Sequence, residues 1–128
     1  MVILITGKAG AGKTHYAKEL AKELLAEGKS VVRIDGDEWR DKNDNKDFTD
    51  SGRLENLMSA AELAAKLESN NIVIMSFIAP LRIWRNAMRR FWKESRTIYL
   101  PGGTLWEGTI YEVPTEDEYS VTYNVKYE

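Results

Sequence analysis

The sequence contains no cysteine, only one histidine and only three prolines in 128 residues. Without cysteine the chain has no disulfide, no thiolate nucleophile and no cysteine-bound metal. The absence of cysteine does not distinguish an oxidising from a reducing compartment. No apolar run is long enough to span a membrane, and the short N-terminal run lacks the basic start of a signal peptide. We therefore expect a soluble, cytoplasmic protein with no membrane partner.

The chain also lacks a strong excess of either charge. Its 18 Lys and Arg residues against 20 Asp and Glu residues give a formal net charge of -2. This balance argues against a nucleic-acid partner. A hydrophobic content of 43% in 128 residues suits a single domain, residues 1–128, with one core.

What the chain does contain is a complete phosphate-binding motif near its start. The motif G-x-x-x-x-G-K-[ST] is satisfied by Gly7, Gly12, Lys13 and Thr14. It follows an apolar, β-branched run at 2–5 and precedes a helical pattern that ends near Gly28. Strand, glycine-rich loop and helix are the context that the motif requires, so an ordinary glycine-rich turn is the weaker interpretation.

Each part of this loop has an expected role in binding a nucleoside triphosphate. Glycines let backbone amides face the phosphate oxygens, and the helix N-terminus adds partial positive charge. Lys13 is expected to reach the β- and γ-phosphates, and Thr14 is expected to ligate Mg²⁺. The predicted nucleotide-binding residues are Gly7, Lys8, Ala9, Gly10, Ala11, Gly12, Lys13 and Thr14.

Two carboxylates, Asp35 and Asp37, follow the second predicted strand at 30–34. Open α/β sheets bind ligands beyond the carboxyl ends of their strands, so these carboxylates are placed to order Mg²⁺ or to orient a hydroxyl nucleophile. The alternative is a simple Asp-Gly turn. The third predicted strand, 72–75, ends in Ser76 rather than an acidic residue. A second carboxylate for the metal must therefore come from Asp35 or Asp37.

The region between the second and third strands contains one predicted helix and one predicted loop. The polar, aperiodic stretch at 41–47 predicts a surface loop. Phe48 follows it and is either a core anchor or a stacking surface for a ligand ring. A helix is predicted at 53–69, with Arg53 and Asn56 one helical step apart and able to face one cleft. A solvated helix start is the usual alternative for such residues.

The last third of the chain predicts one more helix and two more strands. Pro80 suits the first position of a helix, and Arg82 and Arg85 near its start are candidates for binding an anionic substrate. Strands are predicted at 97–100 and, at a sheet edge, 120–126. The alternation of strands and helices predicts a three-layer α/β fold with a mainly parallel sheet.

Four stretches of this sequence occur together in a characteristic order. They are the phosphate loop at 7–14, Ile34-Asp-Gly-Asp-Glu-Trp-Arg40, Phe48-Thr-Asp-Ser-Gly-Arg-Leu-Glu-Asn56, and Ser76-Phe-Ile-Ala-Pro-Leu-Arg82 with Arg85. In order and spacing they resemble the adenylylsulfate (APS) kinases, P-loop kinases that transfer the γ-phosphoryl of ATP to the 3′-hydroxyl of adenosine 5′-phosphosulfate. The resemblance covers residues 1–100, and Tyr111-Glu-Val-Pro114 is also similar to the Y-E-x-P near the family's C-terminal end. It implies ATP and Mg²⁺ as cofactors, a small-molecule acceptor, and the homodimer that is common in that family.

The resemblance also implies a role for each matching residue. Lys13 and Asp35 would be catalytic, and Thr14 and Asp35 would lie at the metal. Phe48 would stack on the adenine of the sulfonucleotide. The residues implied to bind this acceptor are Asp37, Arg40, Phe48, Arg53, Asn56, Ile78 and Arg82.

Because of two departures from the family pattern, the sequence does not determine which acceptor substrate is used. Ala79 replaces the family's serine, and the family's basic helical lid has no counterpart, because Leu100 runs through 101–104 almost directly to Tyr111. Lids exclude water and close the site over the substrates. The loop at 101–104, with Trp106 near it, is a candidate for a reduced lid. The alternatives are a related kinase for another small-molecule or modified-nucleotide hydroxyl, and a nucleotide-binding protein with little turnover.

Overall fold

A four-stranded parallel sheet forms the centre of the molecule in a computed structural model that describes residues 1–105 and 109–118. The strands are β1 (Val2–Thr6), β2 (Val31–Asp35), β3 (Ile72–Phe77) and β4 (Ser95–Tyr99). Their order across the sheet is β2-β3-β1-β4, and every neighbouring pair is parallel. The central strands, β1 and β3, are nearly continuous apolar runs, as expected where both faces of a sheet are covered.

Helices cover both faces of this sheet. They are α1 (Lys13–Ala26), α2 (Gly36–Lys42), α3 (Asp50–Leu67) and α4 (Arg82–Arg89). Successive strand residues point to opposite faces, so Leu4 and Met75 pack with α3 and α4, whereas Ile5 and Ile74 pack with α1. The predicted three-layer α/β fold is therefore confirmed.

The segment after β2 differs from the prediction of a surface loop at 41–47. Helix α2 extends through Asp41 and Lys42, so the first part of that prediction is wrong. The helix forms because the Asp35 side chain caps it, accepting hydrogen bonds from the backbone amides of Asp37 and Glu38. Acidic residues in its first turn and basic residues in its last turn add to its stability.

The boundaries of α3 and α4 also differ from the predicted ones. Helix α3 begins at Asp50 rather than 53, because the Thr49 hydroxyl accepts a hydrogen bond from the Gly52 amide. Helix α4 begins at Arg82, so the prediction that Pro80 opens the helix is wrong. The backbone oxygen of Pro80 is instead held by a segment far along the chain, as described below.

Two further expectations concern the rest of the chain. The edge strand predicted at 120–126 lies outside the described residues. Across residues 1–105 and 109–118, no helix has both the length and the apolar character needed to cross a membrane.

Candidate active site

The phosphate loop between β1 and α1 takes the conformation that its glycines permit. Gly10 and Gly12 have φ angles of 79° and 95°, in the left-handed region that side chains disfavour. The Ala11 amide donates to the Lys8 carbonyl oxygen over 3.2 Å and closes a tight turn. Gly12 then serves as the N-cap of α1. The loop therefore lies at a helix N-terminus, where backbone amides and the helix dipole favour an anion.

Lys13 lies at the base of this loop. Its Nζ donates a hydrogen bond of 2.8 Å to the Lys8 carbonyl oxygen, which fixes the ammonium group under the turn. Burial lowers the pKa of Lys13 below its ordinary value, although the carboxylates of Asp37 and Asp35 act in the opposite direction. A half-buried cation beside two carboxylates and a nest of amides is suited to contact a phosphate group.

The carboxylate of Asp35 connects three elements of the fold. Its Oδ1 accepts hydrogen bonds from Thr14 Oγ1 at 2.8 Å and from Ser76 Oγ at 3.0 Å. Its Oδ2 accepts the amides that it caps at the start of α2. Ser76, which stands where an acidic residue was expected, therefore orients the Asp35 carboxylate from β3.

One cleft of about 420 Å³ brings together most of the predicted site residues. The phosphate loop, the ends of β2 and β3, and helices α2 and α3 all contribute residues to its lining. Its predicted lining residues are Ala9, Gly10, Gly12, Lys13, Thr14, Asp35, Asp37, Arg40, Arg53, Asn56 and Ile78. The remaining loop residues, Gly7, Lys8 and Ala11, are not among the residues that line it. Asn56 is buried, so its interpretation as part of a solvated helix start is wrong, whereas the half-buried Arg53 lines the cleft.

Asn56 is a notable member of this lining because its polar group is incompletely satisfied. The residue is only 5% exposed, yet no described residue donates a hydrogen bond to its Oδ1 atom. A buried acceptor without a donor costs free energy unless a ligand or water supplies one. The cleft beside Asn56 therefore suits a ligand that carries a hydrogen-bond donor.

Phe48 and Arg82 are the two predicted acceptor-binding residues that are not part of this lining. Phe48 is 57% exposed, so the core-anchor interpretation is wrong, and the Arg40 guanidinium lies 4.6 Å from its ring centroid. Arg82 pairs with Asp117 at 2.8 Å and donates to Thr115 Oγ1 at 3.0 Å. Arg85, the other candidate for anion binding, is fully buried.

The sequence analysis missed the structural role of residues 109–118, which we call the C-terminal strap. The Tyr111 hydroxyl lies 2.9 Å from the Thr6 hydroxyl, at the end of β1. The Glu112 amide donates to the Pro80 carbonyl oxygen over 2.7 Å. The strap thereby fixes the segment between β3 and α4, which includes Ile78 in the cleft. The match of 111–114 to the family's Y-E-x-P was the only signal in the sequence for this contact.

Arg85 links the C-terminal strap to the segment between β3 and α4. Its guanidinium donates to the backbone oxygens of Ala79 at 2.7 Å and Glu112 at 2.8 Å and forms an ion pair with Glu118. Arg89 forms a second ion pair with Glu118 at 2.8 Å. Burial alone would raise the pKa of Glu118, but the hydrogen bonds from the two arginines outweigh it and lower that pKa. The carboxylate is therefore held in its charged form.

A parallel sheet with a phosphate loop between its central strand β1 and the following helix defines the class of P-loop kinases. Within that class, the family model for adenylylsulphate kinase matches residues 1–101, and the chain belongs to this family. A probable adenylyl-sulfate kinase of Archaeoglobus fulgidus is 40% identical over 91 residues, which are 70% of this chain and 59% of that protein. The adenylyl-sulfate kinase of Bacillus licheniformis is 38% identical over 96 residues, 73% of this chain and 48% of that protein.

Solved structures agree with this family assignment. The Mycobacterium tuberculosis APS kinase CysC in complex with AMPPNP and APS superposes with a TM-score of 0.73 at 26% identity, covering 78% of this chain and 61% of that one. The hexameric APS kinase from Thiobacillus denitrificans gives a TM-score of 0.78 at 26% identity, covering 98% of this chain and 26% of that one. The chain spans about half the length, or less, of the curated relatives from Bacillus licheniformis and Emericella nidulans.

Proposed function

We propose that this protein transfers the γ-phosphoryl group of ATP to the 3′-hydroxyl of adenosine 5′-phosphosulfate. The observation that carries the proposal is the cleft whose lining combines residues of the phosphate loop with Asp35 and with residues of α2 and α3. Family membership and the relatives named as adenylyl-sulfate kinases support the same reaction. The departures at Ala79 and at 101–104 make the acceptor the part that needs direct testing.

The donor set at Asp35 suits a magnesium ion that arrives with a nucleotide. Thr14 Oγ1 and Asp35 Oδ1 are oxygen ligands only 2.8 Å apart, beside the phosphate loop. Among the described residues, no group of three or more His, Cys, Asp or Glu side chains could hold a metal. Mg²⁺ usually keeps several waters and takes its other ligands from phosphates, so one carboxylate and one hydroxyl fit this ion. When bound, Mg²⁺ would neutralise charge on the phosphates.

The residues around the phosphate loop would perform the transfer by positioning and electrostatics. Loop amides and the Lys13 ammonium would hold the γ-phosphoryl group. Asp35 would orient the acceptor hydroxyl and accept its proton as the new P–O bond forms. The bond between the γ-phosphorus and the bridging oxygen breaks at the same centre, and ADP leaves.

The lining residues of α2, α3 and the segment after β3 would hold the acceptor. Arg40 and Arg53 offer guanidinium groups that match the geometry of phosphate and sulfate oxygens. The Oδ1 atom of Asn56 would accept a hydrogen bond from the nucleotide, with Asp37 and Ile78 beside it. Phe48, exposed at the edge of this region, would stack on the adenine ring. Arg82 is left out of this set because Asp117 already pairs with it.

The decisive experiment measures ADP release in the presence of ATP, with and without adenosine 5′-phosphosulfate. We expect ADP release that depends on this acceptor and yields the 3′-phosphorylated product. Adenosine 5′-phosphate as the comparison acceptor tests whether the sulfate group is recognised. No acceptor-dependent release, with ATP binding intact, would contradict the proposed acceptor.

A related kinase for another hydroxyl substrate is the second candidate, and the loop at 101–104 specifically favours it. A site without the family's helical lid is open to a larger acceptor. A screen of phosphorylated and sulfated alcohols for ATP-dependent phosphoryl transfer distinguishes the two reactions. Bound nucleotide with no product from any acceptor would instead indicate a nucleotide-binding protein with little turnover.

We further propose that the protein acts in the cytoplasm, where ATP is available, and as a homodimer. The hexameric structural relative supports self-association within the family. Sedimentation equilibrium of the full chain would measure this directly, and a monomer at all concentrations would contradict it.

A further inference from the structure

Residues 101–104, which we call the β4 loop, lie directly against the phosphate loop. The Thr104 backbone amide donates to the Ala9 carbonyl oxygen over 2.8 Å, and the two residues form an antiparallel bridge. Gly103 packs so closely that a Cβ atom there would lie 2.5 Å from the Ala9 oxygen and 3.0 Å from the Ala11 nitrogen. The contact is therefore largely backbone against backbone.

The hydrogen bond from Thr104 fixes the direction of one peptide unit in the phosphate loop. The described chain has no cis peptide bond, and in a trans peptide the carbonyl and the following amide point to opposite sides. With the Ala9 oxygen held by Thr104, the Gly10 amide is directed away from the β4 loop. Gly10 lines the cleft, so this amide is kept available for a phosphate oxygen.

We propose that the β4 loop holds the phosphate loop in its phosphate-binding conformation, with Gly103 and Thr104 as positioning residues. This inference rests on the proposed nucleotide-binding function and extends it to a segment that the family model does not cover beyond residue 101. Glycine is required at position 103 for two reasons. Its φ angle is 76°, and no space exists for a Cβ atom beside Ala9.

The adjacent glycine provides a matched control for this role. Gly102 also has a left-handed backbone, with a φ of 92°, but a Cβ atom there would meet nothing within 4 Å. Alanine therefore strains the loop similarly at both positions, and only at 103 does it press on the phosphate loop. We expect Gly103→Ala to weaken binding of ATP and of inorganic triphosphate about tenfold or more, and by a similar factor for both ligands. Gly102→Ala should change neither affinity more than about twofold.

A second pair of variants tests the hydrogen bond itself. Thr104→Pro removes the amide that donates to Ala9, whereas Thr104→Ala keeps it. We expect only the proline variant to weaken binding of inorganic triphosphate. This pair keeps the inference testable even where Gly103→Ala impairs folding.

The measurements are calorimetric titrations with Mg²⁺ present, together with urea unfolding of each variant without ligand. The inference is supported if affinity falls for Gly103→Ala and Thr104→Pro while their unfolding midpoints match those of their controls. Equal affinities within each matched pair would overturn it. Failure of the unaltered protein to bind ATP or triphosphate would refute the nucleotide-binding function first, and the inference with it.

Discussion

Two loops that follow neighbouring parallel strands contribute to the lining of the cleft, and different contacts maintain their conformations. The phosphate loop after β1 depends on glycines at its left-handed positions, Gly10 and Gly12. The β3–α4 loop, residues 78–81, has a non-glycine residue, Ala79, at a φ of 44°. Its conformation is imposed by contacts with Arg85 and the C-terminal strap. The phosphate loop therefore owes its left-handed turns to its own glycines and gains one distant backbone contact, from Thr104. The β3–α4 loop contains no glycine, and its support comes from residues outside it.

This difference shows where stability and function are concentrated in the molecule. The β3–α4 loop depends on a buried ion pair, whose side chains, Arg85 and Glu118, are 0% and 2% exposed. Charges buried in this way stabilise little by themselves but are costly when one partner is lost. Substitutions that break this ion pair should therefore lower the stability of the fold. Substitutions in the phosphate loop should instead weaken ligand binding and phosphoryl transfer.

The largest expected effect is on the support of the β3–α4 loop. Replacing Arg85 by methionine leaves Glu118 buried with only Arg89 to pair with, and we expect a loss of about 3–5 kcal/mol in the free energy of unfolding. Urea denaturation measures this loss. Arg82→Met, at an exposed ion pair of α4, is the control and should cost under about 1 kcal/mol. Similar losses in both variants would remove the proposed role of the buried pair.

A substitution in the phosphate loop should lower phosphoryl transfer strongly and leave the free energy of unfolding nearly unchanged. Lys13→Ala removes the ammonium group from beneath the loop, and we expect phosphoryl transfer to fall about 10²- to 10³-fold or more. The free energy of unfolding should stay nearly unchanged, because burial already disfavours the charged lysine. Lys18→Ala, exposed on the same helix, is the matched control. Near-normal transfer in Lys13→Ala would contradict its catalytic assignment.

A smaller effect is expected at the tyrosine that joins the strap to β1. Burial raises the pKa of Tyr111 to about 12, although its bond with Thr6 and the charge of Arg85 act against that rise. The unfolded chain releases this proton near pH 10. The stability that the protonated Tyr111 hydroxyl contributes is therefore complete below that pH and is lost as the pH rises towards 12.

Tyr111→Phe should therefore cost about 1 kcal/mol at neutral pH and lose less additional stability than the unaltered protein between pH 10 and 12. Thermal unfolding across that range measures the difference. Tyr99→Phe keeps Tyr111 and should retain most of the alkaline loss, because Tyr99 is only one of the smaller causes that raise the pKa of Tyr111. Parallel pH profiles for the unaltered protein and Tyr111→Phe would show that the buried hydroxyl is not responsible.

The smallest expected effect is at the strained position itself. Ala79→Gly relieves the left-handed conformation, and loss of a buried methyl group offsets part of the gain, so we expect stability to rise by up to about 1 kcal/mol. Ala61→Gly, at a buried position of α3, should instead destabilise by at least about 1 kcal/mol. Equal losses at both positions would show that the φ of Ala79 carries no strain.

The same comparison explains which parts of the structure could be predicted from sequence. The strands, the phosphate loop and most cleft residues follow from periodicity, glycine spacing and the rule that strand ends carry ligands. Helix α2 was missed because Asp35 was interpreted as a functional carboxylate or as part of a turn, and not as a helix cap. The start of α4 and the burial of Arg85 depend on residues 27 and 33 positions away, Glu112 and Glu118, and no local pattern records such contacts.

The ion pair of Arg85 with Glu118 also implies an order of events during synthesis. Every element of the phosphate site is present once the ribosome has released residue 104, which completes the contact with Ala9. The support of the β3–α4 loop is complete only with Glu118, because until then the buried Arg85 guanidinium lacks this carboxylate partner. In a nascent chain the phosphate loop would therefore have its contact with Thr104 before the β3–α4 loop has the support of Glu118.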